Sequence, residues 1–379
     1  MRSGRGREIG RVLKFAMLAC GLALVALAQK PKKDENQVLQ LPKELPSTVE
    51  GDPRHFSFYV TPLSSKGLLC RQVRDALSAL NREAKGDPIL KIRAFVAGSG
   101  DARRVRDIVS EVFSGRKQPL PVLSLVQAGG LPEGAQVVLE AIASGKKEVN
   151  SQGLAFLSAQ AASAGDPVGP VVPLADKSLA ALRLAVKAAG SEPADVVRVS
   201  CFLSSLDEVA AIRQLVDREY PKAPADFVQT QRAPARSLAA CEAVAKLRRN
   251  IGTRLQVVNA EGLAAPAEGP AATPGESRIA LVASPKVVLT GTQVSFGFEE
   301  KDARLAFQRL AKALEQEGVS MHDVAFAHFY PLATGIAAQI ERVRGEFFDS
   351  AQPPAWSLIL FEGLPSMNAG FAIDVVAVK

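Results

Sequence analysis

The chain contains three copies of one sequence unit, and this internal repeat limits the possible folds more than any other feature. A shift of 107 residues places 88–113 on 195–220, and a shift of 128 residues places 190–220 on 318–348, both without a gap. The coinciding positions include Ile89/Val196, Phe95/Phe202, Asp195/Asp323, Phe202/Tyr330 and Ile212/Ile340. A chain of 379 residues is long enough for two to three domains, so the repeat predicts three similar ones.

Each copy has the same order of predicted elements: a strand, a helix, a strand, a helix and two closing strands. The strands are short apolar runs, and the helices carry apolar residues at helical spacing, for example Leu179, Leu182 and Val186. A unit of this order with both helices on one sheet face is an α+β sandwich of about 100 residues. We therefore predict an α+β fold of three tandem βαβαββ units. Their predicted bounds are 51–145, 150–260 and 277–379, with a low-complexity linker at 261–276.

The N-terminus has the pattern of an export signal. A basic segment precedes a fourteen-residue apolar run at 15–28 that ends in Ala-Leu-Ala. This pattern predicts a signal peptide at 1–28, cleaved before Gln29 and followed by a linker at 29–50. The alternative is an uncleaved anchor in the inner membrane formed by 15–28, which the lysines just after the cleavage site favour. Either way, the N-terminal segment is expected to engage the membrane or the export machinery, and the body to be exported, periplasmic or secreted.

The charge distribution gives no sign of a nucleic-acid partner. The formal net charge is +7, but residues 1–33 hold eight bases and one acid, whereas 34–379 hold equal numbers of each. A neutral body offers no electrostatic footprint for a phosphate backbone. The glycine turns lack the lysine and serine of a phosphate loop, and the three histidines have no metal-ligand spacing. We therefore expect no nucleic acid, metal or other cofactor, and we interpret His328 as a structural histidine with satisfied hydrogen bonds.

Three cysteines lie outside the predicted signal peptide: Cys70, Cys201 and Cys241. They have no C-x-x-C spacing, which excludes a disulfide framework and a zinc site but leaves one disulfide open. Buried free cysteines are the interpretation that the sequence favours.

Several segments resemble the Rid family, also called YjgF/UK114 or L-PSP. Residues 131–143 read LPEGAQVVLEAIA, similar to the family's C-terminal strand motif L-P-x-G-A-L-V-E-I-E-A-I-A. Residues 234–237 match its P-A-R-S segment, 156–160 resemble its V-F-V-S-G-Q strand, and 195–199 resemble D-D-V-V-K-V. The order of these motifs within three copies extends the resemblance over 51–379.

The resemblance implies a chorismate-mutase-like fold in each unit. Family members form homotrimers around a central barrel, with ligand clefts between subunits. Three covalently joined copies therefore imply an intramolecular pseudo-trimer, in which one chain is a monomer with closed threefold symmetry.

The resemblance also implies a chemistry. Family members hydrolyse imines and enamines derived from amino acids to keto acids and ammonia. The arginine of P-A-R-S binds the substrate carboxylate, and the acid of E-I-E-A-I-A positions water. Both roles suit the residue types, because guanidinium binds carboxylate with two parallel hydrogen bonds and a carboxylate can orient water.

Only some of the family's site residues are present in this sequence. Arg236 and Ser237 match P-A-R-S in the second unit, where Asn259 is assigned to the acid position. The first unit has Leu123 at the arginine position and keeps an acid at Glu140. In the third unit Trp356, interpreted as a plug in a closed cleft, stands at the arginine position, and Asp374 is the acid. No unit thus carries both groups. The candidate residues are Glu140 and Asp374 for catalysis, and Arg236, Ser237 and Ser158 for substrate binding.

Two functions follow from this partial match. The first is an exported Rid-like protein with degenerate clefts that binds a small carboxylate metabolite or a partner. The alternative is an imine or enamine deaminase, with one surviving cleft at Arg236.

Overall fold

A computed structural model describes residues 41–98, 102–259, 278–349 and 351–379. The predicted signal peptide at 1–28, most of the linker at 29–50 and the whole linker at 261–276 lie outside these ranges. Pro42–Lys379 form one compact unit. Within the described ranges, none of the helices combines the length and the apolarity needed to cross a bilayer.

Three β-sheets share one strand order, which confirms the mixed α+β class. The first sheet has the order β2 (Phe56–Val60), β5 (Val137–Ser144), β3 (Ile89–Ala97) and β4 (Val122–Ala128). The second has β6 (Leu154–Ala164), β9 (Ser237–Lys246), β7 (Val196–Leu203) and β8 (Ala225–Gln229). The third has β12 (Val287–Thr290), β16 (Ala369–Val378), β14 (Val324–Pro331) and β15 (Ala355–Leu358), and β13 (Gln293–Phe296) also pairs with β16. In each sheet the central strand is antiparallel to the closing strand and parallel to the fourth.

Each sheet packs two helices against one of its faces. The helices are α1 (Leu69–Glu83) and α2 (Ala102–Gly115), α3 (Val172–Ala188) and α4 (Val209–Glu219), and α5 (Glu300–Gln316) and α6 (Thr334–Arg344). Their apolar stripes, such as Leu179, Leu182 and Val186 on α3, enter a separate core for each sheet. A further apolar core contains residues of all three sheets, among them Phe58, Phe156 and Phe326.

Two strands cross the predicted unit boundaries. β1 (Thr48–Gly51) begins in the predicted linker at 29–50 and pairs with β12 of the third sheet. β11 (Arg278–Val282) falls in the range predicted for the third unit, yet it pairs with β6 and with β10 (Leu255–Asn259), so it extends the second sheet. Backbone hydrogen bonds therefore tie the beginning of the described chain to its last sheet.

The prediction of buried free cysteines is wrong. Cys201 on β7 and Cys241 on β9 face each other in the ladder and form a disulfide, whereas Cys70 is free and exposed. Forty residues separate the two half-cystines in sequence, and only the register of the antiparallel pair brings them together. Spacing alone could not distinguish this pair from two buried thiols.

Candidate binding cleft and buried ion network

The central strands direct polar side chains into the interior between the three sheets. Because side chains alternate along a strand, residues two apart share a face. β3 places Lys91 and Arg93 on this inner face, β7 places Arg198 and Ser200, and β14 places His328. Two residues further along each strand, an aromatic ring follows. These rings, Phe95, Phe202 and Tyr330, pack around Phe361 at centroid distances of 5.6 to 5.7 Å.

In each sheet, an acid on the closing strand lies opposite one polar residue of the central strand. Arg93 pairs with Glu140, Ser200 with Glu242, and His328 with Asp374. The acid of the second unit is therefore Glu242, and the assignment of Asn259 is wrong. Asn259 is the last residue of β10, which lies at the edge of the second sheet. The closing strand of this sheet is β9, which precedes β10 in the chain.

Glu140 is bound by cations from two sheets. Arg93 Nε and Nη2 donate to its carboxylate at 2.8 and 2.7 Å, Arg198 Nη1 at 2.9 Å, and Ser200 Oγ at 2.7 Å. Burial alone would raise the pKa of Glu140, but Arg198 and Arg93 lower it to about 2. Arg93 also donates to Glu242 at 2.7 Å, so one guanidinium joins the acids of two sheets.

Asp374 is the corresponding centre in the third sheet. It accepts hydrogen bonds from Lys91 at 2.5 Å, Ser124 at 2.7 Å and Tyr330 at 2.9 Å. His328 lies between two acids, with Nδ1 3.2 Å from Asp374 and Nε2 3.1 Å from Glu242. Burial would raise the pKa of Asp374, but Lys91 and His328 bring it well below its usual range. The interpretation of His328 as a histidine with satisfied partners agrees with these contacts.

The predicted site residues do not meet in one place. Glu140 and Asp374 are almost fully buried in the ion network, and none of the hydrogen bonds found for them among the described residues involves Arg236, Ser237 or Ser158. Ser237 Oγ donates to the carbonyls of Asp166 and Gly169, which fixes the loop between β6 and α3. Ser158 is buried on β6, where its carbonyl accepts from Gln160 Nε2 at 2.8 Å, and Arg236 is half-buried just before β9.

The match of Arg236 to Leu123 and Trp356 is also wrong in register. Leu123 and Trp356 lie on β4 and β15, which run parallel to their central strands, whereas Arg236 precedes the antiparallel β9. The counterpart of β4 and β15 is β8. Within it Asp226 pairs with Ser200, as Ser124 pairs with Arg93 and Ser357 with His328. The P-A-R-S segment therefore lies at the start of β9, whereas β8 is the strand that corresponds to β4 and β15.

A cleft of about 360 Å³ opens between the first and second sheets. This volume is within the usual range for small-molecule sites. Its lining residues, contributed by both sheets, are Val60, Thr61, Pro62, Leu63, Glu133, Val138, Arg213, Pro224, Ala225, Asp226 and Phe227. Seven of these eleven residues are apolar, and the charged ones are Arg213, Asp226 and Glu133.

Arg213 is the cation of this cleft. It extends from α4, and its guanidinium lies 4.9 Å from the centre of the Phe227 ring. We find no carboxylate of the described residues in an ion pair with it. A half-buried guanidinium held against an aromatic face retains its donors for a planar anion.

Asp226 is the unusual acid of the cleft. It is 3% exposed, and neither carboxylate oxygen has a hydrogen-bond donor among the described residues. Burial raises its pKa well above the usual range, and the charge of Glu140 raises it further.

The corresponding places at the other two seams are filled. At the seam between the second and third sheets, Trp356 is buried and lies under the guanidinium of Arg344, 3.7 Å from the ring centre. At the seam between the third and first sheets, Thr292 N donates to the Leu123 carbonyl at 3.2 Å, and a Cβ on Gly291 would come within 2.9 Å of the same oxygen. Trp356 therefore packs as the sequence interpretation expected.

Sequence reasoning missed Arg93, Arg198, Arg213, Asp226 and Glu242. A signal for Arg93 and Arg198 was present, because β3 and β7 each carry two polar residues two positions apart within an apolar run. Such a residue on a fully buried strand needs a partner, and this requirement predicts an internal network.

Comparisons with known proteins give partial structural similarities. No family model matches the chain, and no curated protein matches it. A YjgF/YER057c/UK114 family member from Mycobacterium tuberculosis is 20% identical, over 24% of this chain and 79% of its own, with a TM-score of 0.23. A YjgF family protein from Neisseria meningitidis is 16% identical, over 28% of this chain and 90% of its own, with a TM-score of 0.24. A Rid family protein from Yersinia pestis is 18% identical, over 34% of this chain and 100% of its own, with a TM-score of 0.28. TM-scores of this size carry no conclusion about activity, substrate or partner.

Proposed function

We propose that this chain is an exported, Rid-like protein that folds as a pseudo-trimer within one polypeptide and binds a small carboxylate metabolite. The three sheets with one strand order support the pseudo-trimer, as do the three gapless sequence repeats. The ligand site that we propose is the cleft between the first and second sheets.

The observation that carries the proposal is Arg213 in this cleft. An arginine fork binds a carboxylate with two parallel hydrogen bonds, and the apolar residues of the lining suit a short aliphatic chain. The contacts of Trp356 and of Gly291 with Leu123 at the other two seams agree with a ligand site at the seam between the first and second sheets.

The contacts of the acids favour binding over hydrolysis. Glu140 and Asp374 already accept hydrogen bonds from several buried donors, and those donors occupy the lone pairs that would orient a water. We therefore expect keto-acid binding without measurable imine hydrolysis, and we keep the deaminase with a cleft at Arg236 as the alternative.

Replacing Arg213 by alanine tests the ligand site. We expect the affinity for 2-oxobutyrate, measured by calorimetric titration, to fall about 10- to 150-fold, because a charge-assisted hydrogen bond contributes about 1.5 to 3 kcal/mol. Arg213→Lys should restore it only in part, since an ammonium lacks the planar fork.

Two matched variants complete this experiment. Arg218→Ala removes an exposed arginine from the same helix and should leave binding unchanged. Arg236→Ala distinguishes the two candidate sites. If Arg236→Ala loses binding of 2-oxobutyrate while Arg213→Ala binds it normally, the ligand site is at the P-A-R-S segment. If imine hydrolysis is found and depends on Arg236, the deaminase alternative is the correct function.

Export is proposed from the signal pattern and is supported by the disulfide. Cys201 and Cys241 form a bond that is typical of oxidising compartments. We expect the mature protein, recovered from the cell envelope or medium, to begin at Gln29 when its N-terminus is sequenced. A membrane-bound chain that still carries residues 15–28 would show that the segment is an anchor instead.

A further inference from the structure

The inference concerns Asp226 and depends on the proposed function, because it names the ligand class of the same cleft. Asp226 occupies a place that serine occupies in the other two sheets. In the first sheet, Ser124 at this place donates to Asp374, the acid of the neighbouring third sheet, at 2.7 Å. In the second sheet Asp226 lies beside Glu140, the acid of the neighbouring first sheet. A hydroxyl that donates is thus replaced by a carboxyl that faces another carboxyl.

Glu140 does not take up the proton that would remove the repulsion between the two carboxyl groups. Its oxygens are held by Arg93, Arg198 and Ser200, and its ionised form is strongly stabilised there. Two adjacent buried carboxylates repel each other, so one proton is retained by the pair. We place this proton on Asp226 rather than on Glu140, because the oxygens of Asp226 have no hydrogen-bonded cation among the described residues.

Charged groups surround Asp226 both on the side of the ion network and on the side of the cleft. Glu140 on β5, Arg93 on β3 and Arg198 on β7 lie on its inner side, and Arg213 on α4 and Glu133 line the cleft on its outer side. Arg93 and Arg198 already donate hydrogen bonds to Glu140 and Glu242. The cleft side is therefore where a donor for Asp226 can come from.

We propose that the cleft is selective for α-amino acids over the corresponding keto acids, with Arg213 binding the carboxylate and Asp226 accepting hydrogen bonds from the ammonium group. A cationic nitrogen supplies the donors that the two buried oxygens lack. The apolar residues Val60, Leu63 and Val138 suit a short aliphatic side chain. The ammonium keeps its three protons on binding, and Asp226 releases its proton to solvent, so the positive ammonium takes the place of that proton beside the carboxylate and the one proton released balances the charge.

The first test compares two ligands that differ only at the second carbon. L-2-aminobutyrate should bind about tenfold or more tightly than 2-oxobutyrate to the wild-type protein, as expected for one charge-assisted hydrogen bond. In Asp226→Asn, which has nearly the same shape, this preference should disappear while 2-oxobutyrate still binds. Asp217→Asn, an exposed acid on α4, should keep the preference.

The second test uses only the wild-type protein, so it does not depend on the folding of a variant. Calorimetric titrations at neutral pH in phosphate and in Tris, which differ in ionisation enthalpy, count the protons exchanged on binding. L-2-aminobutyrate should release protons, up to one per site, and 2-oxobutyrate should release none.

The outcomes separate this inference from the proposed function. If the two ligands bind equally through Arg213 and no proton is released, the role of Asp226 is overturned and carboxylate binding stands. If neither ligand binds, both are overturned. A preference for the amino acid that survives in Asp226→Asn also overturns the role of Asp226.

Discussion

Replacing Arg93 by methionine should lower the free energy of unfolding by about 3 to 5 kcal/mol, measured by urea denaturation at neutral pH. Removing one partner of a buried ion pair leaves its acids without compensation in a low-dielectric interior. Arg93 donates to Glu140 at 2.7 and 2.8 Å and to Glu242 at 2.7 Å, so its loss leaves two carboxylates short of donors. Methionine fills a similar volume, so most of the loss comes from charge rather than from a cavity.

An exposed ion pair gives the matched control. Arg74 on α1 donates to Glu111 on α2 at 2.6 Å, a distance like those made by Arg93, but both side chains are solvent-accessible. Arg74→Ala should cost less than about 1 kcal/mol, because solvent already screens this pair. Equal losses for the two variants would show that the interior network is well solvated, contrary to the buried positions of its members.

The double variant Cys201→Ala/Cys241→Ala should lose about 2 to 4 kcal/mol of unfolding free energy. The bond closes a loop between residues 40 apart, and its removal lets the unfolded chain explore more conformations. The two positions lie on the ladder between β7 and β9, which also carries Ser200 opposite Glu242. Loosening this ladder would therefore also disturb the ion network.

Thiol labelling checks the bond itself. Alkylation of the denatured, non-reduced protein should label Cys70 and leave Cys201 and Cys241 unlabelled until a reductant is added. Cys70→Ser, at an exposed position, should leave the unfolding free energy unchanged within about 0.5 kcal/mol. Labelling of all three cysteines without reductant would mean that the pair is a dithiol in the mature protein.

The candidate site shows how a motif match can be misplaced. The letters P-A-R-S at 234–237 fit a family motif, yet the strand that corresponds to β4 and β15 begins after Pro224. The better signal was positional: Pro121, Pro224 and Pro354 each precede the fourth strand of a sheet. A short motif carries little information by itself, whereas its place in the order of elements can be checked against the other repeats.

The position of the closing strand shows a second limit. The apolar alternation of β5 and β16 predicts both strands from the sequence, and with them the positions of Glu140 and Asp374. In the second sheet, two further apolar segments follow β8, at 237–246 and 255–259, and the prediction places the acid in the more distant one. Periodicity identifies a strand but does not say which neighbour it pairs with, because pairing depends on contacts far away in sequence.

The sequence by itself determined the mixed α+β class, which follows from local periodicity, and it predicts three copies of one pattern of strands and helices from direct comparison of segments. The tertiary structure decided the chemistry. Arg93, Arg198 and Lys91 bind acids of sheets other than their own, at Glu242, Glu140 and Asp374 respectively. The meeting of Asp226 with Glu140, and the open cleft at Arg213, likewise depend on how one sheet is set against the next. Side-chain alternation states which face of a strand a residue occupies, but the charges it meets there come from distant segments, and only the packing of the sheets brings them together.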